Sequence, residues 1–298
     1  MAADAAESPN PSLVLPADAT VFPSPRTTFL RVAGAFVRRD LAIQASYRFA
    51  FALRTGSALV VLASFSFLAR FLSSGGVGLP VSRYGGAGFV GFWLVGLCTA
   101  EVFHTITMVL ARRIRETQLE GTLEAVLATP ATTWQVMLSI PLAETVIALP
   151  RILVLLLSGP LLFGVSFGPV NVLTLLVAVV LALLAFVSLG ILGGAMTMCL
   201  RRVDPITALV AMSAAVVGGV LYPIDVLPPA LRACAYALPL APALEMVRQA
   251  LFADASLQMV SRELVALGSF IVVVTPAGAL LFGIALRRAR ADGSLAHY

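Results

Sequence analysis

The sequence predicts an all-α integral membrane protein. It reads as six transmembrane helices, with an N-terminal interfacial amphipathic helix before the first and re-entrant helices before the last. Three observations carry this. The 298-residue chain is 59% hydrophobic and 12% charged, with mean hydropathy +0.98, whereas soluble domains run near ~25% charged. Six apolar stretches approach the ~20 residues that cross a hydrocarbon core. The twenty basic residues, all arginine, also fall unevenly between alternate loops.

Residues 1–25 are rich in Pro and Ala and carry Asp4, Glu7 and Asp18. Without a basic start and an apolar core they do not read as a secretory signal, and a disordered cytoplasmic tail is expected. Residues 26–48 form the interfacial segment, centred on "TTFLRVAGAFVRRDL" at 27–41. Phe29, Val32, Ala33, Phe36 and Val37 repeat at helical spacing, and Arg31, Arg38 and Arg39 point elsewhere. An apolar stripe backed by arginines suits a helix lying in the bilayer interface. A cytoplasmic extension of the first span is the alternative.

The expected spans are 51–71, 87–110, 140–163, 171–199, 206–222 and 264–286. The fifth is short and runs into "YPIDVLPPALRACAYALPLAPALEMVRQALF", 222–252. Pro223, Pro228, Pro229, Pro239 and Pro242 forbid a single helix there. Two short helices that dip in and return are expected, with irregular backbone buried in protein. With the N-terminus inside, fourteen arginines lie on the cytoplasmic side and five outside, Arg248 among the five, with Arg151 inside a span. That bias places both termini, including the 291–298 tail, in the cytoplasm.

Several chemistries are excluded or left without support. With no lysine in the chain, a G-x-x-x-x-G-K-[ST] phosphate loop is absent, as is Schiff-base chemistry. Cys98, Cys199 and Cys234 match no disulfide or metal spacing and read as small apolar residues. "GAGFVG", 86–91, fits a dinucleotide fingerprint only by letters, because it opens a span with no strand before it. "GVSFG", 164–168, lacks a nearby histidine base, since the only histidines are His104 and His297; it reads as a turn. No metal site and no nucleic-acid signature is expected.

Between spans two and three lies "ARRIRETQLEGTLEAVLATPATTWQVMLS", 111–139. Thr117 and Glu120 fit a T-x-x-E capping box, so a helix is expected from Gln118, ending at Thr129-Pro130. Leu119, Leu123, Val126 and Leu127 share one face, with Glu120 and Glu124 on its edge. About eleven residues of isolated helix are marginal, so this helix needs something to pack on. Anionic headgroups repel the acids; a groove on another protein suits both the stripe and the charges.

"RETQLEGTLEAVLATP" resembles the signature loop of permease subunits of type-2 ATP-binding-cassette (ABC) exporters, and the 222–252 stretch resembles that family's outer re-entrant segment. The resemblance covers nearly everything after residue 26. It implies a type-2 ABC transmembrane domain over 49–290, in a plasma membrane such as the bacterial inner membrane. Two permease domains, of this chain or a close homologue, would each sit on a separate ATPase subunit holding ATP and Mg. No cofactor is expected in this chain. Residues 27–41 would be the connecting helix and 117–129 the coupling helix. Coupling would fall to Glu116, Thr117, Leu119, Glu120, Gly121, Thr122, Leu123, Glu124 and Pro130, and the re-entrant segment to Tyr222, Pro223, Pro228 and Pro239.

The spans also carry charge. Glu101 lies ~13 Å from the cytoplasmic end of span two and Arg151 ~16 Å into span three, at 1.5 Å per residue. A lone charge at mid-bilayer costs about 2.5–3.5 kcal/mol, so the two should pair. His104 and Glu144 would extend the network toward the cytoplasm. A structural brace and the wall or gate of a cargo path both fit. Gly190, Gly193, Gly194, Gly218 and Gly219 permit close helix packing, within or between protomers. The function expected is the permease of an ATP-driven exporter moving an amphiphilic, lipid-linked or drug-like substrate. An ion-coupled secondary transporter is the rival, but it calls for inverted repeats that are not evident here. An intramembrane enzyme has little chemistry to draw on.

Overall fold

The computed structural model describes residues 29–74, 88–120, 132–200 and 205–291. The described residues form helices and no strand, as a chain in lipid must when each backbone polar group has to be satisfied within its own segment. In order they are α1 (Phe29–Ser46), α2 (Arg48–Ser74), α3 (Gly88–Leu119), α4 (Thr133–Phe163), α5 (Val172–Leu200), α6 (Pro205–Val217), α7 (Pro229–Ala237), α8 (Leu240–Phe252) and α9 (Ser261–Ala291). Five of these, α2, α3, α4, α5 and α9, are long and apolar enough to cross a membrane.

The fifth expected span, 206–222, is shorter than predicted. Helix α6 has 13 residues, a rise of ~20 Å against a hydrocarbon core of ~30 Å. It stops at Gly218 and Gly219, the latter at φ 81°, where a side chain would be strained. Prolines then set each boundary. Pro223 precedes the 3₁₀ turn Ile224–Val226, Pro228 precedes α7 with Pro229 in its first turn, and Pro239 precedes α8. Helices α7 and α8 meet at 87°, the two short helices expected of a proline-cut stretch. Tyr222 closes the turn by donating its hydroxyl to the Val216 carbonyl, 2.6 Å.

Helix α3 is the axis of the molecule. It packs on α4 and α5, α8 wedges against α3 and α5, and α9 runs along α5. Helix α2 sits at the edge against α3 and α4, and α1 lies along α4. Two of the glycines allow close approach within the chain: a Cβ on Gly190 would stand 3.0 Å from the Ile106 carbonyl oxygen, and one on Gly194 3.0 Å from Leu110. Ser188 and Thr275 share a 2.7 Å hydrogen bond between α5 and α9, a polar clasp of the kind common between membrane helices.

One local expectation needs correction. Thr117 and Glu120 form no capping box, because α3 runs unbroken through Thr117 to Leu119. The Thr117 hydroxyl bonds back to the carbonyls of Arg113 and Ile114, at 3.0 and 2.9 Å, and Arg113 pairs with Glu116 at 3.5 Å. These i to i+3 and i+4 ties continue a helix. The capping box lies downstream at Thr132, whose hydroxyl accepts from the Gln135 N–H at 3.3 Å while the Gln135 side chain accepts from the Thr132 N–H at 2.9 Å. It starts α4. The expected coupling helix therefore begins as the end of a span. Helix α1 runs from Phe29 to Ser46, inside the segment 26–48.

Candidate functional site

Helix α4 contains Pro141, Pro150 and Pro160, each removing one N–H from the helical ladder. Arg151 follows the middle proline, on the face toward α3. Its guanidinium meets the Glu101 carboxylate of α3, and the Thr105 hydroxyl donates to the same oxygen at 3.4 Å. The structure thus brings the two intramembrane charges together. Their burial is unequal: the Glu101 side chain is 35% exposed and that of Arg151 10%.

That exposure opens on a cleft with two adjoining cavities. One, of about 200 Å³, is lined by residues including Gln44, Tyr47, Arg54, Arg112 and Glu144. The other, of about 360 Å³, is lined by Arg54, Glu101, Arg151 and the apolar Val61, Leu62, Leu94, Leu97 and Leu155. His104, Arg54 and Arg151 border both. Glu144 does not extend the Glu101–Arg151 pair. It pairs with Arg112 at 3.4 Å, so two separate ion pairs face one cleft.

At the far end of α3, Glu116, Thr117, Leu119 and Glu120 close the described segment, with Leu119 64% exposed. Gly121, Thr122, Leu123, Glu124 and Pro130 lie outside the described residues. Asp40, 5% exposed on α1, accepts from Arg39 at 2.8 Å and from Arg113 of α3 at 3.3 Å. It latches α1 to the end of α3. Sequence reasoning missed it because one acid beside arginines on an amphipathic helix reads as a solvated face.

Sequence reasoning counted Arg248 only as an outer-side charge and did not foresee its burial. It is 1% exposed on α8. Its guanidinium donates to the carbonyls of Gly219, Phe92 and Val220 at 2.8, 2.9 and 3.2 Å, and stacks 3.4 Å over the Phe92 ring. Helix α6 ends inside the bundle with carbonyls that no further turn can satisfy, and a planar five-donor fork can reach several at once. Gly96 makes the approach possible, because a Cβ there would stand 2.6 Å from the Val220 oxygen and 2.7 Å from Arg248 Nη2. Trp93 adds a bond to the Leu221 carbonyl, 2.7 Å. Tyr222, Pro223, Pro228 and Pro239 surround this junction without touching the charged cleft.

A third cavity, of about 310 Å³ and nearly wholly apolar, lies between α3, α4, α5 and α8, bordered by Val102, Leu149, Val179, Phe186 and Val247. "GVSFG" forms the turn between α4 and α5: Gly164 takes the left-handed conformation that ends α4, and Gly168 packs on the Phe252 carbonyl. Among the described residues no group of three His, Cys, Asp or Glu side chains is placed to hold a metal. The family model described as ABC-2 type transporter matches residues 32–252, from α1 through the end of α8. No curated protein matches the chain.

Proposed function

The chain belongs to the ABC-2 type transporter family, and on that premise we propose that it is the permease subunit of an exporter powered by a separate ATPase subunit. A family member of this kind is a multi-pass membrane domain that carries transport and is not itself catalytic. Its cargo is an amphiphilic, lipid-linked or drug-like molecule moved away from the cytoplasm. Both termini face the cytoplasm, so the Leu119 end of α3 does too, and ATP and Mg sit on the partner. A second copy, or a close homologue, completes the path.

The observation that carries this reading is the course of α3. One helix runs from the broken α6–α8 junction to Leu119, where the acidic sequence of Glu120 and Glu124 follows, linking the segment buried among the spans to the segment offered to a partner. The apolar lining of the 310 Å³ cavity supports a cargo with a substantial apolar part.

The test is reconstitution of the chain with its ATPase in vesicles. Glu120→Arg and Leu123→Asp should insert normally, bind the ATPase more weakly on pulldown, and uncouple export from ATP turnover. Parent-like binding and export by both variants would remove the loop from the coupling path. Export driven by an ion gradient with no ATPase present would overturn the reading as a whole.

A further inference from the structure

Arg54 has no part in the pairs described so far. It sits on α2 six residues past Arg48, ~9 Å along the helix at 1.5 Å per residue, and borders both charged cavities. Its side chain makes no hydrogen bond or ion pair among the described residues. Three guanidinium groups, Arg54, Arg112 and Arg151, line the cleft with two carboxylates, Glu101 and Glu144. Arg151 takes Glu101 and Arg112 takes Glu144. One positive charge is left over. The cleft therefore holds one exposed cation, Arg54, with no carboxylate of its own among the described residues.

Its remaining walls are graded. Gln44, Tyr47 and Arg112 stand at the end where α1 meets α2. Val61, Leu62, Leu94, Leu97 and Leu155 continue the cleft toward the middle of the spans. We propose that this cleft binds the phosphodiester headgroup of a membrane lipid, held by Arg54, with an acyl chain along the apolar wall. A phosphodiester carries the single negative charge that the cleft lacks, and its oxygens accept the forked donors of arginine. The 360 Å³ volume falls in the range of ligand pockets, roughly 300–1,000 Å³. Which leaflet supplies the lipid rests on the orientation proposed above, namely the leaflet on the side of the termini. Binding itself rests on the cleft alone.

The test uses the full-length protein in detergent, with whatever subunits copurify, and no ATP. Phosphatidylglycerol, phosphatidylcholine, diacylglycerol and inorganic phosphate are added in turn, and retained lipid is read by native mass spectrometry beside the melting temperature. Phosphatidylglycerol should be retained and raise the melting temperature, phosphatidylcholine less so. Arg54→Gln should weaken phosphatidylglycerol about tenfold, the size of one lost charge-assisted bond, and Arg54→Lys should keep most of it. Ala58→Phe, at a position that also lines the 360 Å³ cavity, should weaken it as well. Arg262→Gln, over the Tyr236 ring on another face, should change nothing. Parent-like retention of phosphatidylglycerol by Arg54→Gln would overturn the proposal. So would equal protection by diacylglycerol, or by inorganic phosphate, which would make the site one for a free anion. None of these readouts needs transport, so loss of the exporter reading and loss of this site are separate outcomes.

Discussion

Removing one partner of the Glu101–Arg151 pair should cost unequal amounts, in an order set by burial. Glu101→Gln leaves a guanidinium that is nine-tenths buried, cannot lose its proton, and already has one donor unmet. An uncompensated buried charge costs about 3–5 kcal/mol; because the cleft admits some water, about 3 kcal/mol is expected here. Arg151→Met leaves a carboxylate that is 35% exposed, keeps Thr105, and can hydrate from the cleft. About 1 kcal/mol is expected for that, one lost hydrogen-bond equivalent. Replacing both should cost about 1 kcal/mol or less, as replaced ion pairs often do. The single costs would then exceed the double cost by about 3 kcal/mol, the coupling that a double-mutant cycle measures. Thermal melts of purified protein are the assay, at about 2–4 °C per kcal/mol for a chain of this order of size. Arg151→Met melting as low as Glu101→Gln would refute the burial argument, and simple additivity would refute the pairing. Export by the double variant then separates two roles. Restored melting with restored export means a brace, and restored melting without export means a gate.

Arg248→Lys should lose about 2–3 kcal/mol despite keeping the charge, because a point donor cannot serve three carbonyls; parent-like melting of this variant would contradict the fork. Gly96→Ala should cost about 1–3 kcal/mol by overpacking against the Val220 carbonyl and Arg248. Gly34→Ala, whose Cβ meets nothing within 4 Å, should instead stabilise by up to about 1 kcal/mol through helix propensity; equal melting of the two alanine variants would refute the close approach at Gly96. Asp40→Ala should release α1 from α3, seen as faster amide exchange across Phe29–Ser46, and unchanged protection would show that the Arg113 bond holds nothing.

The sequence disclosed most of the architecture because bilayer thickness and hydropathy act on whole segments. Five long helices and the proline-cut pair were legible for that reason, and so was the Glu101–Arg151 contact, since two opposite charges at one depth have few other partners. The boundaries were less legible. T-x-x-E at Thr117 and T-x-x-Q at Thr132 are nearly the same letters, and only the helical ties upstream of Thr117 decide between them. The fifth span read as a full crossing because apolar residues continue past Gly219, although the backbone does not. Arg248 was counted outside because a charge-counting rule assigns loop arginines to water; its signal, the paired Gly218–Gly219 with a lone arginine on the returning helix, is visible only once the break is known. Arg54 was counted only as one of the fourteen cytoplasmic arginines, and nothing in its neighbours along the chain marks it as the odd charge in a cleft.

Helix α3 and helix α4 lie side by side but differ mechanically. Over its 32 residues, ~48 Å at 1.5 Å per residue, α3 contains no proline, whereas α4 contains three, at which helices bend. A rod and a jointed column that share a side contact respond differently to the same load. Displacement applied at Leu119 would reach Phe92, and through its carbonyl Arg248 and the end of α6, with nothing between to absorb it; the column beside it would yield at Pro141, Pro150 or Pro160. Spin labels at the two ends of α3 and of α4 would test this, with a fixed separation on α3 and a changing one on α4 as the expected pair of results. On this mechanical reading, the junction at Gly219 moves in step with an end of the molecule some forty ångströms away, ~40 Å by the same rise per residue, while the charged cleft between rod and column changes its width.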